Sequence, residues 1–409
     1  MGNIKEYNGG SPSALREINM SVVLDRIKGT NAISRVSLSR ELNITQTTIN
    51  RIVNQLIKEG LVIETGFGES SGGKKPRILK YNASRAYVIG IEVDIDHINI
   101  ILTDLSAKEM AYISNKFEKK IDYRFINKYI FKYIDYVIKD SGINKDKIEV
   151  IALGLPAMVH PKDGTISLCP SIPFWEGINL NNTIKKEFGC DVMSDNAPNM
   201  AVIGEQKFGV AKSLNNVVFF WVGTGIGAGI IIDGKIYKGS NGAAGEVGYM
   251  QINKSVPKNT NEKYGQFEFL ASTLAILRRV REEIKAGSKP SFLSKKKLDI
   301  ERITLNDIID AYHHNELFIK RIIDETLDNL ALGIGNVITT LNPEIVLIRS
   351  ELLSAENCFF EIFKKKIQNF VPFCPNISIT TLGEKAVALG AISMAIQKID
   401  QQILSPLFH

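Results

Sequence analysis

Apolar residues recur at helical spacing from Ala14 to Lys28 (Leu15, Ile18, Val22, Val23, Ile27), and Gly29 follows as a stop, which predicts a first helix. In SRVSLSRELN (Ser34–Asn43), Leu38 and Leu42 stand four apart and predict a second, short one. ITQTTINRIVNQLIKEG predicts a third: Thr45 caps it, Ile49, Ile52, Val53, Leu56 and Ile57 form its core face, and Gly60 ends it. Two short strands are then expected around a basic, glycine-rich loop, Gly72 to Arg77. From Tyr87 the pattern changes to a three-segment strand meander, a helix from Phe125 to Lys139 and a buried strand from Ile148 to Leu153. The strands Val88–Asp94 and Val217–Val222 open two halves and hint at a duplicated α/β unit.

Helix, tight turn, helix is the outline of a helix-turn-helix, and the polar face of its third helix is informative. Gln46, Thr47, Thr48, Asn50, Arg51 and Asn54 all form hydrogen bonds, and none is a carboxylate. Asn and Gln suit adenine edges, Arg suits guanine, and Thr reaches a phosphate or a thymine methyl. With Arg35 and Thr45 these are the candidate DNA contacts, and double-stranded operator DNA is the expected partner. Lys74, Lys75 and Arg77 complete the set as a wing along the phosphate backbone, the alternative being a flexible linker with incidental charge.

Composition supports this division of the chain. At 409 residues, with 44% hydrophobic and 23% charged residues, two or three domains are expected. Residues 1–82 hold twelve Lys and Arg against seven acids, so they carry five of the chain's six net positive charges. Such asymmetry fits a small domain facing a polyanion, and equally a solvated basic face. No apolar run is long enough for a membrane span and the N-terminus lacks a secretory pattern, so a cytoplasmic protein with no membrane partner is expected. Cys169, Cys190, Cys358 and Cys374 lie far apart and are expected to be reduced and buried.

The most specific segment is FFWVGTGIGAGIIIDGKIYKGSNGAAGEVGYM. Gly223–Gly229 lies between two apolar strands, which makes it a β-hairpin turn and not the strand-to-helix turn of a dinucleotide site. With the wing SSGGKKP, the segment AAGEVG, the stretch TTLNPEIVLI and the late LGAISMA, the chain resembles the ROK family of repressors and sugar kinases. Within that family it resembles the helix-turn-helix branch that includes xylose repressors. The resemblance runs from Leu15 to Ile396. It implies an α/β fold: an N-terminal winged helix-turn-helix, residues 1–82, then a two-lobed, actin-like (ribonuclease H-like) sugar-kinase fold. Its first lobe would be 83–200, joined by a C-terminal helix 385–409, and its second 201–384, with the glycine-rich turn and a dimerisation surface.

Departures from the family pattern bear on mechanism. Asp94-Ile95-Asp96 stands where family kinases carry a phosphate loop, Ala197 where they carry the catalytic Asp, and Arg349-Ser350 where they carry a glycine pair near the adenosine. A methyl group takes no proton from a sugar hydroxyl, so no catalysis, no catalytic residue and no cofactor are expected. The zinc ligands of many relatives correspond here to Tyr249, Asn259, Asn261 and Gln266, so no metal is expected and the loop from Gln251 to Gly265 must be held another way or be mobile.

The resemblance retains a sugar cradle: Asn196, Glu246 and Glu268 match hydroxyl-binding positions, with Ser171 and Tyr249 replacing two others. The two glutamates read alternatively as a salt bridge propping the cleft, and Trp175 either as a stacking platform or as a core anchor. The expected function is therefore a sugar-responsive, DNA-binding transcriptional repressor, its effector xylose or a related small-molecule sugar, working as a homodimer or a tetramer. An active sugar kinase and a ligand-independent DNA-binding protein are the alternatives.

Overall fold

The computed structural model describes residues 12–67, 75–117, 126–253, 265–290 and 299–404. The N-terminal module runs α1 (Pro12–Lys28), β1 (Ile33–Ser34), α2 (Arg35–Leu42), α3 (Gln46–Lys58), β2 (Val62–Phe67) and β3 (Arg77–Tyr81), with sheet order β1-β3-β2. Local chemistry sets its turns. The Ser34 hydroxyl accepts from Ser37 N at 3.1 Å to start α2, Asn43 ends it in the left-handed region at φ 54°, and Thr45 accepts from Thr48 N at 3.4 Å to start α3. α3 buries Ile49, Ile52, Val53 and Leu56 as expected, with Ile57 half-buried. α1 differs from the sequence reading: Leu15, Ile18 and Val22 are 56%, 60% and 40% exposed. The side it buries is Met20, Val23, Leu24 and Ile27, because a helix with apolar residues on two stripes can turn only one of them inward.

The rest of the chain forms two lobes on one plan. In the first, β4 (Tyr87–Val93), β5 (His97–Asp104) and β6 (Glu109–Lys116) make an antiparallel meander, and β7 (Ile148–Leu155) and β10 (Asp191–Asn196) add in parallel beyond β4, giving the order β10-β7-β4-β5-β6. β8 (Met158–Val159) and β9 (Ile166–Leu168) form a small separate ribbon. In the second lobe, β11 (Val217–Val222), β12 (Ile226–Ile232) and β13 (Lys235–Ile236) repeat the meander, and β14 (Ile345–Ser350) and β15 (Asn376–Ile379) add in parallel, giving β13-β12-β11-β14-β15. The duplication hinted at by the opening strands is thus a repeated sheet topology, and the α/β architecture with a winged helix-turn-helix is the expected one.

Helices cover both faces of each sheet, so strand residues are buried on alternate sides. α4 (Ile126–Ser141) and α5 (Leu180–Phe188) cover the outer face of the first sheet. α7 (Gln266–Ala271), α8 (Thr273–Lys285), α9 (Leu305–His313), α10 (Leu317–Leu341), α11 (Glu351–Ala355) and α12 (Asn357–Gln368) cover that of the second. α6 (Ala197–Phe208) and α13 (Ala386–Leu404) share one core with the inner faces of both. In β11, Val217 and Phe219 point to that shared core while Val218, Phe220 and Val222 point outward. α6 and α13 touch backbone to backbone: a Cβ on Gly390 would lie 1.7 Å from the Met200 carbonyl oxygen, so only glycine permits the contact. Residue 200, the expected lobe boundary, falls inside α6.

The shared core also takes in the N-terminal module, which is fastened by polar contacts as well. Lys28 pairs with Asp400, Arg85 Nε donates to Glu59 O at 2.8 Å, and Arg85 pairs with Glu149. Of the cysteines, Cys169 and Cys190 are buried, but Cys358 and Cys374 are exposed, a correction to the expected burial of all four. Cys358 lies near the start of α12, whose inward side is taken by Phe359, Phe363 and Ile367. No helix among the described residues is long and apolar enough to cross a membrane.

Candidate functional site

Strands β4, β7 and β10 run parallel and all end at the same edge, where the chain must turn and where open α/β sheets bind ligands. The residues that follow them, Asp94, Pro156 and Ala197, line a cavity of about 360 Å³ that faces the β11–β12 turn and Glu246, Tyr249, Glu268 and Leu274 of the second lobe. All five expected cradle residues, Ser171, Asn196, Glu246, Tyr249 and Glu268, line it together.

Asn196 caps α6, its Oδ1 accepting from Asn199 N at 2.9 Å, which leaves its amide nitrogen to donate to Glu246. Burial, and then the charge of Glu268, raises the pKa of Glu246. Burial likewise raises that of Glu268, whose Oε2 accepts from Ile226 N at 2.8 Å. The hairpin turn is glycine-rich for a local reason: a Cβ on Gly225 would lie 2.9 Å from that carboxylate. Two desolvated carboxylates side by side, with no salt-bridge partner for either among the described residues, suit a ligand rich in hydroxyl donors. Ser171 is exposed, its Oγ 3.3 Å from Pro156 O, and Tyr249 is 44% exposed at the cavity mouth.

Ala197 presents its methyl group to the cavity, and the neighbouring acid, Asp195, is committed elsewhere: it pairs with Lys238 at 2.5 Å and accepts from Asn196 N and Asn199 Nδ2. Asp94 also lines the cavity, and burial pushes its carboxyl up to about 6. Asp94, Asp96 and His97 lie close enough together to face one cation. His97 is a poor ligand for it, since the hydrogen bond to Asp96 and the pairing with Glu92 outweigh its burial and push its pKa up to about 10. Trp175 is buried in the first lobe's core and is absent from the cavity lining, so the core-anchor alternative holds. Trp221 lines the cavity instead. The sequence signal for it was its place two residues before Gly223, where the glycine turn begins.

Of the positions matching zinc ligands, Tyr249 lies at the cavity, while Asn259 and Asn261 fall outside the described residues. Gln266 explains how the start of that loop is held. Its Oε1 accepts from Ile252 N and Asn253 N, and its Nε2 donates to Asn253 O, each at 2.7 Å.

In the N-terminal module, Thr45, Gln46, Thr47, Arg51 and Asn54 are exposed on one side of α3, with Thr48 and Asn50 half-buried. Arg35 belongs to a network behind this surface: it donates to Asn54 Oδ1 at 2.8 Å, to Asn50 Oδ1 at 3.4 Å and to Glu64 Oε1 at 3.0 Å. The two carbonyl oxygens are thereby engaged, which leaves both amide nitrogens as donors. Glu64, which the sequence reading did not single out, also pairs with Arg77, and that hydrogen bond holds its carboxyl below the usual range. An acid in a strand of an otherwise basic module was the available signal. Lys75 and Arg77 are exposed, and Lys74 lies outside the described residues.

Comparison with known proteins agrees with these two regions. The model of the ROK family matches residues 88–398, and that of a winged helix-turn-helix DNA-binding domain matches 23–63. The xylose repressor of Caldicellulosiruptor bescii is 30% identical over 95% of this chain and 97% of its own. The DNA-binding transcriptional dual regulator NagC of Escherichia coli is 24% identical over 85% and 84%. The crystal structure of a ROK family transcriptional regulator, a homologue of the E. coli MLC protein, superposes with a TM-score of 0.78 at 23% identity, over 96% of this chain and 99% of that one. Two lobes on a repeated sheet plan, a cleft at the strand ends and a helix-turn-helix fastened to the last helix thus agree with the sequence matches: this chain belongs to the ROK family and carries an N-terminal winged helix-turn-helix.

Proposed function

We propose that the chain is a transcriptional repressor that binds operator DNA through α3 and the wing, and is controlled by a sugar in the inter-lobe cleft. The observation that carries this reading is the combination in one chain of an acid-free, exposed recognition surface and a cleft lined by Asn196, Glu246 and Glu268. Similarity to a xylose repressor over 95% of the chain supports xylose or a related sugar as effector. Ser171, Asn196, Glu246, Tyr249 and Glu268 would bind it. On the DNA side, Gln46, Thr47, Asn50, Arg51 and Asn54 would read bases, and Thr45, Thr48, Lys74, Lys75 and Arg77 would meet phosphates. Arg35 acts through Asn50 and Asn54. The domain limits 1–82, 83–200 with 385–409, and 201–384 describe this division of labour.

No kinase activity is proposed, because Ala197 offers no base and Asp195 is held by Lys238. One recognition helix contacts few base pairs, so the working unit is a homodimer on a two-fold site, or a tetramer made of two such dimers. The test is to select DNA from a random pool with the purified chain, then titrate the complex with pentoses and hexoses. A two-fold motif released or tightened by one sugar supports the reading. A chain that selects no motif, or that phosphorylates the sugar, refutes it.

A further inference from the structure

The cleft is larger than one sugar ring needs. Its volume of about 360 Å³ equals that of about twelve waters at ~30 Å³ each. A pentose, whose atoms sit at covalent spacing, fills roughly half of it. Beyond the five cradle residues the lining includes Asp94, Ile95, Trp221, Thr224 and Leu274. We propose that Asp94, Ile95, Trp221 and Leu274 wall a second sugar-ring subsite, and that the effector is a neutral disaccharide or short glycoside whose first ring sits in the cradle. This rests on the reading of the cleft as a sugar site.

Three features support it. First, Trp221 is held as a fixed platform. The Arg349 guanidinium lies 4.0 Å from its ring centre and is itself anchored 3.1 Å from the buried carboxylate of Glu92, which accepts from Asn99 Nδ2 at 2.9 Å. A ring immobilised in this way loses little freedom when the apolar C–H face of a pyranose packs on it. Second, Asp94 supplies a carboxylate to the same cavity, one oxygen of which accepts from Ile95 N at 2.7 Å, and carboxylates accept from paired hydroxyls. Third, the lining contains Asp94, Glu246 and Glu268 but no Lys, Arg or His among the described residues. A phosphate or carboxylate brought here would meet only like charge among the side chains that line the cavity, the nearby Arg349 being paired with Glu92, so sugar phosphates, uronic acids and nucleotides are disfavoured.

The test is calorimetric titration of the full chain with xylose, β-1,4-xylobiose, cellobiose, maltose, glucose 6-phosphate and ATP. One neutral disaccharide should bind at least tenfold tighter than its own monosaccharide. In a Trp175→Phe background, where Trp221 is the only tryptophan, it should shift the fluorescence. Asp94→Asn, and independently Leu274→Arg, should bring the disaccharide-to-monosaccharide affinity ratio towards one, with melting temperatures confirming that both variants fold. Equal affinity for mono- and disaccharides, or an unchanged ratio in both variants, overturns the second subsite while leaving the sugar-sensing reading intact. Binding of ATP or glucose 6-phosphate with no neutral sugar bound overturns both.

Discussion

Lys28, the last residue of α1, and Asp400, near the end of α13, form an ion pair 2.5 Å long between side chains only 20% and 22% exposed. Burial raises the pKa of Asp400 and Lys28 pulls it back, with a smaller contribution from Lys207, so Lys28 is the main cation holding the carboxylate charged. α13 packs through Gly390 on α6, whose first residues line the cleft, so the pair joins the DNA-binding module, through α13, to the helix that begins at the cleft. Asp400→Ala should cost about 1–2 kcal/mol, since it leaves a half-buried ammonium unpaired, and Asp400→Asn should cost less. Thermal unfolding measures this. The same variants should also weaken the effect of sugar on DNA affinity, and an unchanged sugar response would remove the pair from the coupling route.

Gln266 predicts a local effect. Gln266→Leu leaves the amides of Ile252 and Asn253 without their acceptor, which should open this segment by about 2–3 kcal/mol and speed its hydrogen exchange by a factor of roughly 30 to 150. Gln266→Glu keeps the acceptor and loses the donation to Asn253 O, so its exchange should be intermediate. Rates equal to wild type in both would mean that the loop is held by other interactions.

Much of the fold was legible because period and punctuation agreed. Thr45, Ile49, Ile52, Val53 and Leu56 announced α3, and the glycines from Gly223 announced a hairpin, although its turn is only Gly223–Gly225 and Gly227 and Gly229 lie within β12. Leu15, Ile18 and Val22 misled because periodicity reveals that a helix has an apolar stripe, not which stripe meets the core. That Asn196, Glu246 and Glu268 share one cavity was legible only through family resemblance, since they come from separate segments that tertiary structure alone brings together. The roles of Glu64, Trp221 and Gln266 depend on Arg35, Arg349 and Asn253, and no local pattern encodes such partners.

Asp94 gives a pH prediction. Its pKa is raised by burial from an ordinary 3.8 to about 6, so the folded state holds a proton that the unfolded chain has released. The stability this contributes is complete below about pH 4 and is lost as pH rises through 6. Asp94→Asn mimics the protonated form at every pH. The variant should therefore melt close to wild type at pH 4 and above it at pH 7, the gap opening between these values. A constant gap across this range would mean that Asp94 does not titrate there.

The DNA surface predicts two classes of variant. Arg51→Ala or Thr47→Ala removes an exposed side chain from the recognition surface and should weaken operator binding by about 1–3 kcal/mol, with far less effect on random DNA. Neutralising Lys74 and Lys75 together should weaken both and reduce the salt slope by about one for each phosphate left without its cation. Glu64→Gln frees Arg35 and Arg77 from their shared carboxylate, so it should raise affinity for random DNA while loosening the hold on Asn50 and Asn54. Mobility shifts over a salt series separate these outcomes, and equal losses on operator and random DNA for Arg51→Ala would refute its role in base recognition.

Glu246→Gln and Glu268→Gln should abolish the sugar response while leaving DNA affinity without sugar nearly unchanged. Both substitutions preserve local structure: a glutamine carbonyl still accepts from Ile226 N at position 268 and from the Asn196 amide at position 246. What they remove is the charged acceptor proposed for the sugar hydroxyls, and hydrogen bonds to charged groups are worth about 1.5–3 kcal/mol each. They also remove the cost of keeping two desolvated carboxylates together, so each variant should be at least as stable as wild type. Loss of response thus cannot be ascribed to unfolding. A sugar shifts the DNA-binding equilibrium only through its differential affinity for two lobe arrangements, and that effect disappears with the affinity. If the sugar is an inducer, the variants repress at all sugar concentrations; if it is a corepressor, they bind operator weakly at all of them. Operator titrations with and without sugar therefore fix the sign as well. A wild-type response in both variants would mean that the effector binds outside the cleft.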